Sequence, residues 1–322
     1  MVISAALFLG AACSAPLSAL AGSCCGGGGG GALVLPKYAS SKVDVSIDYE
    51  KYNGFWKQNG QVTPDPAGSD LSQTRINAGY ALRLSENWQA SIGIPYVWNY
   101  TEYASSTTRS DGWGDTTVSL WYEALDDLSA WKIRNLKDLI PSFKIGPSLL
   151  IPTGISPYDE GVVNDTDITG RGFYRLDANM LVDKTIHPWS VSFSFSYGEY
   201  LSRPVNEEPG PKYPKPYRLK LGNRMNTSLS LGYIYSIGTS GDMLTGTVAV
   251  SDLKEANSEV DGAENPGSGM EKRAVAGTLA YSSTDHDWSV RGSWNHAIRK
   301  NGWGRNFPTT DIYTLGVSYV FR

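Results

Sequence analysis

The sequence predicts an all-β protein: a closed antiparallel transmembrane β-barrel of about twelve strands, of the outer-membrane type. Three observations carry that expectation. From Lys42 onward apolar and polar residues alternate with period two, the mark of strands whose two faces meet different surroundings. The connections between these runs are alternately short and long, and aromatic residues close many of the runs. Beyond the first 21 residues no stretch reaches the roughly 18 apolar residues of a membrane helix, although the chain holds 10 tryptophans and 19 tyrosines, residues typical of membrane interfaces.

The N-terminal run "VISAALFLGAACSAPLSALA" is apolar and small, and "ALA" at Ala19–Ala21 supplies a small-residue cleavage site, so residues 1–21 are read as a signal peptide. Pro16, Ser14 and Ser18 make the run a poor membrane anchor. Residues 22–41 form a Cys/Gly-rich segment expected to be a flexible periplasmic leader, since glycine at this density is costly to order. Residues 42–322 form the barrel. Cys13 leaves with the signal peptide, so Cys24 and Cys25 are the mature cysteines and no disulfide framework holds the body together. For that pair three readings stand: thiols bonded to each other or to a second chain, a soft metal ion held by vicinal thiolates, or lipidation of Cys24.

The clearest strand is "WSVSFSFSYGEY" (Trp189–Tyr200), with Trp, Val, Phe, Phe and Tyr on one face and serines and a glycine on the other. "WQASIGIPYVWNY" (Trp88–Tyr100) alternates in the same way. Ten further runs follow: Lys42–Trp56, Ser72–Leu84, Gly114–Glu123, Pro141–Pro152, Gly172–Thr185, Met225–Ser236, Met243–Asp252, Lys272–Ser282, Trp288–Ala297 and Asp311–Arg322. Short connections at 85–87, 186–188, 237–242 and 283–287 alternate with long ones at 57–71, 101–113, 153–171, 201–216, 253–271 and 298–310. With both termini on one side, the short turns are periplasmic and the long loops extracellular. The exception, Ala124–Ile140, contains "LSAWKIRNLKDL", whose amphipathic spacing suggests a helix along the inner rim. A single alternating run fits a soluble sandwich equally well. Twelve with this loop asymmetry favour a membrane barrel, which must close because lipid offers an open edge no partner.

With the apolar face on lipid, parity assigns Asp44, Asp48, Glu50, Arg75, Arg83, Glu123, Lys144, Arg175, Asp177, Asp183 and Arg291 to the lumen. Its mixed sign argues against strong ion selectivity; alternatively the groups pair across a narrow bore and close it. Trp113, Tyr158, Tyr213, Tyr217, Trp303 and Phe307 lie in or beside the long loops, as an entrance for apolar solutes or as interface anchors. Catalysis is not expected: His187 and His286 fall in short turns and His296 near the opposite rim, so they do not converge on a nucleophile or a metal. "NDTD" (164–167) and "DGAE" (261–264) lack regular calcium-ligand spacing. No cofactor is expected. A net charge of −4 without a basic cluster excludes nucleic acid as a partner.

"INAGYALRLSENWQASIGIPYVWNY", "GWGDTTVSLWYEAL" and "PSFKIGPSLLIPTG" together resemble the outer-membrane transporter family of the MetA pathway of phenol degradation. The resemblance implies a barrel in the bacterial outer membrane that moves small hydrophobic or aromatic compounds inward, with outer-membrane lipid and the barrel-assembly machinery as partners. The chain ends "SYVFR" rather than on a terminal aromatic, with Phe321 in outward parity, and the Cys-Cys-Gly leader lies outside the family pattern. The leading expectation is a passive channel for small solutes, with the leader as plug or gate. The alternative is a structural or partner-binding barrel whose leader engages a periplasmic redox or metal-handling protein.

Overall fold

The computed structural model describes residues 33–103, 106–125, 133–159, 162, 168–206, 216–238 and 241–322. Twelve long strands make up the wall: β1 (Ser41–Trp56), β2 (Asp70–Arg83), β3 (Trp88–Tyr103), β4 (Thr116–Leu125), β5 (Ser142–Ile151), β6 (Arg175–Ile186), β7 (Trp189–Tyr200), β8 (Arg224–Ile237), β9 (Asp242–Glu255), β10 (Met270–Ser282), β11 (Trp288–Ala297) and β12 (Phe307–Phe321). Each pairs antiparallel with its neighbours in sequence, and β1 closes the ring on β12 with Ser41 opposite Phe321. Every expected strand forms, and the ring leaves no long edge.

Alternation sorts the side chains. On β1, Val43, Val45, Ile47 and Tyr49 are exposed on the outside while Lys42, Asp44, Ser46, Asp48 and Glu50 are buried within. The outer surface is therefore apolar and the inside polar, the reverse of a soluble sandwich. At the periplasmic edge the tryptophan that opens a strand meets a tyrosine directly across the ladder: Trp88 with Tyr122, Trp189 with Tyr233 and Trp288 with Tyr319, at centroid distances of 5.0, 5.0 and 4.6 Å. Such cross-strand aromatic pairs stabilise a sheet and hold the ring at the headgroup level. Phe321 faces outward and packs edge-on against Tyr319.

The extracellular side carries structure that the sequence pattern does not announce. Ser106–Trp113 prolongs the β3 hairpin, Val62–Thr63 folds back on β1, and Gly304–Arg305 on β10. Arg203–Val205, Tyr217–Lys220, Glu259–Val260 and Ala263–Glu264 form a separate four-stranded sheet. Beneath it lie Phe173, Tyr200, Val205, Tyr217, Leu219 and Val260, with Tyr158 against them. On the periplasmic side, the expected helix is reduced among the described residues to a 3₁₀ turn, Leu136–Leu139, capped by Asn135, with Leu136 pointing into solvent; residues 126–132 lie outside the described residues.

Candidate functional site: a charge-lined lumen and its periplasmic stopper

Of the eleven residues that parity assigns to the lumen, seven are buried and Arg83, Lys144, Arg175 and Asp183 are half-buried, and each lies beside an opposite charge. Arg291 grips Asp44 with both guanidinium nitrogens, at 2.6 and 2.9 Å. Arg75, with no exposed surface, binds Glu50 at 2.9 Å and lies 3.6 Å from Asp48. Arg83 binds Glu123 at 3.0 Å, Arg175 binds Asp177 at 2.7 Å, and Lys144 lies 3.7 Å from Asp183. Gly316 makes the first pair possible, because a Cβ there would stand within 2.6 Å of the Arg291 guanidinium carbon. A buried charge is costly unless paired and hydrogen-bonded, and each of these pairs lies within one strand or between neighbouring or next-neighbouring strands, so the charges pair along the wall and line the bore.

Parity stopped short of five further inward charges. Arg171, from the loop before β6, binds Glu255 at 2.5 Å, and Arg224 lies 3.8 Å from the same carboxylate. Lys42 and Lys272 are also buried within. Arg224 and Glu255 belong to strand ends longer than the alternation suggested; Lys42 and Lys272 stand at the first position of their runs, in register with the inward residues that follow.

The periplasmic mouth is stopped by the chain itself. Leu33, Val34, Leu35 and Ala39 are buried, and Leu33, Leu35 and Ala39 pack with Ala81 and Val320 from the inner wall. A Cβ on Gly79 would overlap Leu33 Cδ1, so glycine at this point of β2 is what admits the leucine. The segment has no ladder of its own; wall side chains serve its backbone. The Leu35 N–H donates to Gln89 Oε1 at 2.5 Å, and Arg83 donates to the carbonyls of Pro36 and Ala39 at 2.8 and 2.9 Å. Lys37 lies 3.8 Å from Glu123, and the Tyr38 hydroxyl reaches the His286 carbonyl at 3.4 Å. Burial pushes the Tyr38 hydroxyl up. The expected flexible leader therefore gives way, from Leu33 onward, to a docked segment, and the apolar run "ALVLP" after the glycines was its signal. Cys24 and Cys25 lie outside the described residues.

The extracellular mouth is covered as well. Trp56, Leu253, Met270, Ala297 and Phe307 form an apolar cluster there, and Trp56 Nε1 donates to the Lys300 carbonyl at 3.1 Å. Loop 152–171 is tied down by Asp115, which accepts from the backbone N–H groups of Gly154 (3.2 Å) and Arg171 (2.8 Å) and whose carboxyl is pushed up by burial. Of the expected entrance aromatics, Trp113 packs edge-on against outward Tyr96 at the membrane interface. Tyr158, Tyr217 and Phe307 instead belong to the buried clusters, Trp303 receives the cations of Arg273 and Lys300, and Tyr213 lies outside the described residues. His187 and His286 sit in periplasmic turns, whereas His296 faces outward on β11 and bonds Asp311 at 2.7 Å. No group of metal-ligating side chains occurs among the described residues. Asp261 of "DGAE" accepts from the Arg218 N–H, and 164–167 lie outside the described residues.

An apolar exterior with aromatic edges, a closed ring of strands and a polar, ion-paired interior define an outer-membrane β-barrel, and its place is the bacterial outer membrane. No family model matches the chain, and no curated protein matches it in sequence; the likeness to the phenol-degradation transporters rests on the quoted motifs. Among solved structures the chain is similar to the COG4313 outer membrane channel from Pseudomonas putida F1, with TM-score 0.63 and 14% identity over 91% of this chain and 99% of that one. It also aligns with the β domain of the Bordetella autotransporter BrkA (TM-score 0.49, 9% identity, 88% and 100% of the two chains). A third match is the TodX monoaromatic hydrocarbon channel (TM-score 0.42, 10% identity, 88% and 91%). At these identities the likeness is one of fold.

Proposed function

We propose that the protein is a passive outer-membrane channel for small solutes, held closed by its own leader. One observation carries the reading: the periplasmic mouth is stopped by a separate segment, Leu33–Ala39, docked on the wall without strand pairing. A barrel serving only as a scaffold has no need of a removable stopper in an otherwise polar bore. The apolar clusters at both mouths favour solutes with an apolar or aromatic body, the class that the family resemblance also implies. Its work is passage rather than catalysis. The test is planar-bilayer conductance and liposome swelling by the full chain and by a chain lacking residues 22–39, each shown to be folded by heat-modifiable gel mobility. Flux that rises on removal of the leader supports the channel. Absence of flux from both folded proteins would leave the partner-binding barrel as the better account.

A further inference from the structure

Among the described residues each inward carboxylate of the wall strands is held by a cation, and two inward lysines are left over. Lys42 is 4% exposed and makes no ion pair within 4 Å among the described residues. The charges acting on it are Asp44 and Arg291, and Arg291 already takes both oxygens of Asp44. Lys272 is also 4% exposed; its Nζ donates to the Thr310 hydroxyl at 3.0 Å and stands 5.2 Å from the centre of the Phe307 ring. The carboxylates that act on it are Glu50, held by Arg75, and outward-facing Asp311, held by Arg299 and His296.

The surroundings of the two lysines match. Lys42 lies in register between Ala81 and Val320, members of the periplasmic apolar cluster. Lys272 lies against Phe307, in the cluster with Trp56 and Met270 at the extracellular mouth. Each end of the bore thus sets one unmatched ammonium beside an apolar wall. A buried charge without a partner is costly, and what offsets that cost on both counts is a small molecule with a carboxylate at one end and an apolar body at the other.

Resting on the channel reading, we propose that Lys42 and Lys272 are two stations for the anionic head of a small amphipathic carboxylate, and that the open bore is anion-selective. This revises the expectation, drawn from mixed charge alone, of weak selectivity: selectivity follows the unpaired charges, because paired ones cancel.

The experiment uses the full chain, the chain lacking residues 22–39, and lysine variants of each. Reversal potentials are measured in a KCl gradient, and liposome swelling is measured with benzoate, benzyl alcohol and benzylamine, which share one ring and differ in charge. The expected result is an anion preference of about 10-fold at low salt, with benzoate fastest. In Lys42→Met/Lys272→Met the preference falls toward one, and in Lys42→Arg/Lys272→Arg it is kept. A channel that conducts but prefers cations, or whose preference survives the methionine pair, overturns the proposal and leaves the channel reading standing. The wild-type sign decides this even where a methionine variant fails to fold. Absence of flux from every folded version overturns both.

Discussion

Gly79→Val should open the channel. In β2 the glycine faces inward, and any Cβ there overlaps Leu33 Cδ1, whereas the other neighbour, the Ile92 carbonyl, lies at a tolerable 3.6 Å. The substitution therefore burdens the leader and spares the wall. Leu33 is 5% exposed when docked; losing that burial costs about 2 kcal/mol, which shifts the docked–undocked equilibrium about 30-fold. The assay is single-channel recording of wild type and Gly79→Val in the same lipid, with open probability as the readout and gel mobility as proof of folding. Leu33→Ala reaches the same end without a clash, by forfeiting burial alone. An increase in open probability in both variants is expected. If both fold and gate as the wild type does, the leader is not the stopper.

Three further outcomes are expected. Asp44→Leu strands the Arg291 guanidinium inside the wall and should cost about 3–5 kcal/mol, whereas Asp44→Leu/Arg291→Met should recover most of it; urea-unfolding midpoints in lipid vesicles separate the two. Because burial raises the Asp115 carboxyl in the folded state, its contribution to stability is fullest below the unfolded value and is lost as pH rises through the folded one. Wild type should accordingly gain on Asp115→Asn as pH falls from neutral, read as protection of loop 152–171 from protease; a gain on raising the pH would refute the assignment. A Cβ at Gly146 would overlap the Leu120 carbonyl oxygen across the β4–β5 ladder, so Gly146→Ala should lower stability by about 1–3 kcal/mol, again by urea midpoint.

What was legible in the sequence follows from period and parity. Trp189–Tyr200 and Trp288–Ala297 appear in the structure with the bounds that alternation drew, because lipid on one face and a polar bore on the other leave a one-residue slip no tolerance. Parity likewise placed Asp44 and Arg291 on one inner surface, although 247 positions separate them. Their meeting was not legible, since it depends on which strands close the ring and on the space above Gly316. The extracellular sheet escaped because its strands are two to four residues long and pair across long separations, as Leu219 does with Val260. The leader escaped for a different reason. Its docking uses side chains of Gln89 and Arg83 in place of a ladder, and a segment held in that way carries no period to detect.

That mode of attachment also decides which part of the interior is able to move. Separating a buried pair such as Arg75–Glu50 leaves two uncompensated charges and costs several kcal/mol for each pair broken. The wall charges are consequently permanent fittings that narrow and sign the bore. Undocking Leu33–Ala39 exposes a few apolar side chains and breaks no ladder hydrogen bond, and the carbonyls that Arg83 releases pass to water at the mouth. Arg83 keeps Glu123 throughout, so no wall charge is orphaned when the segment leaves. Of the groups that line or stop the lumen among the described residues, the leader therefore has the lowest cost of displacement.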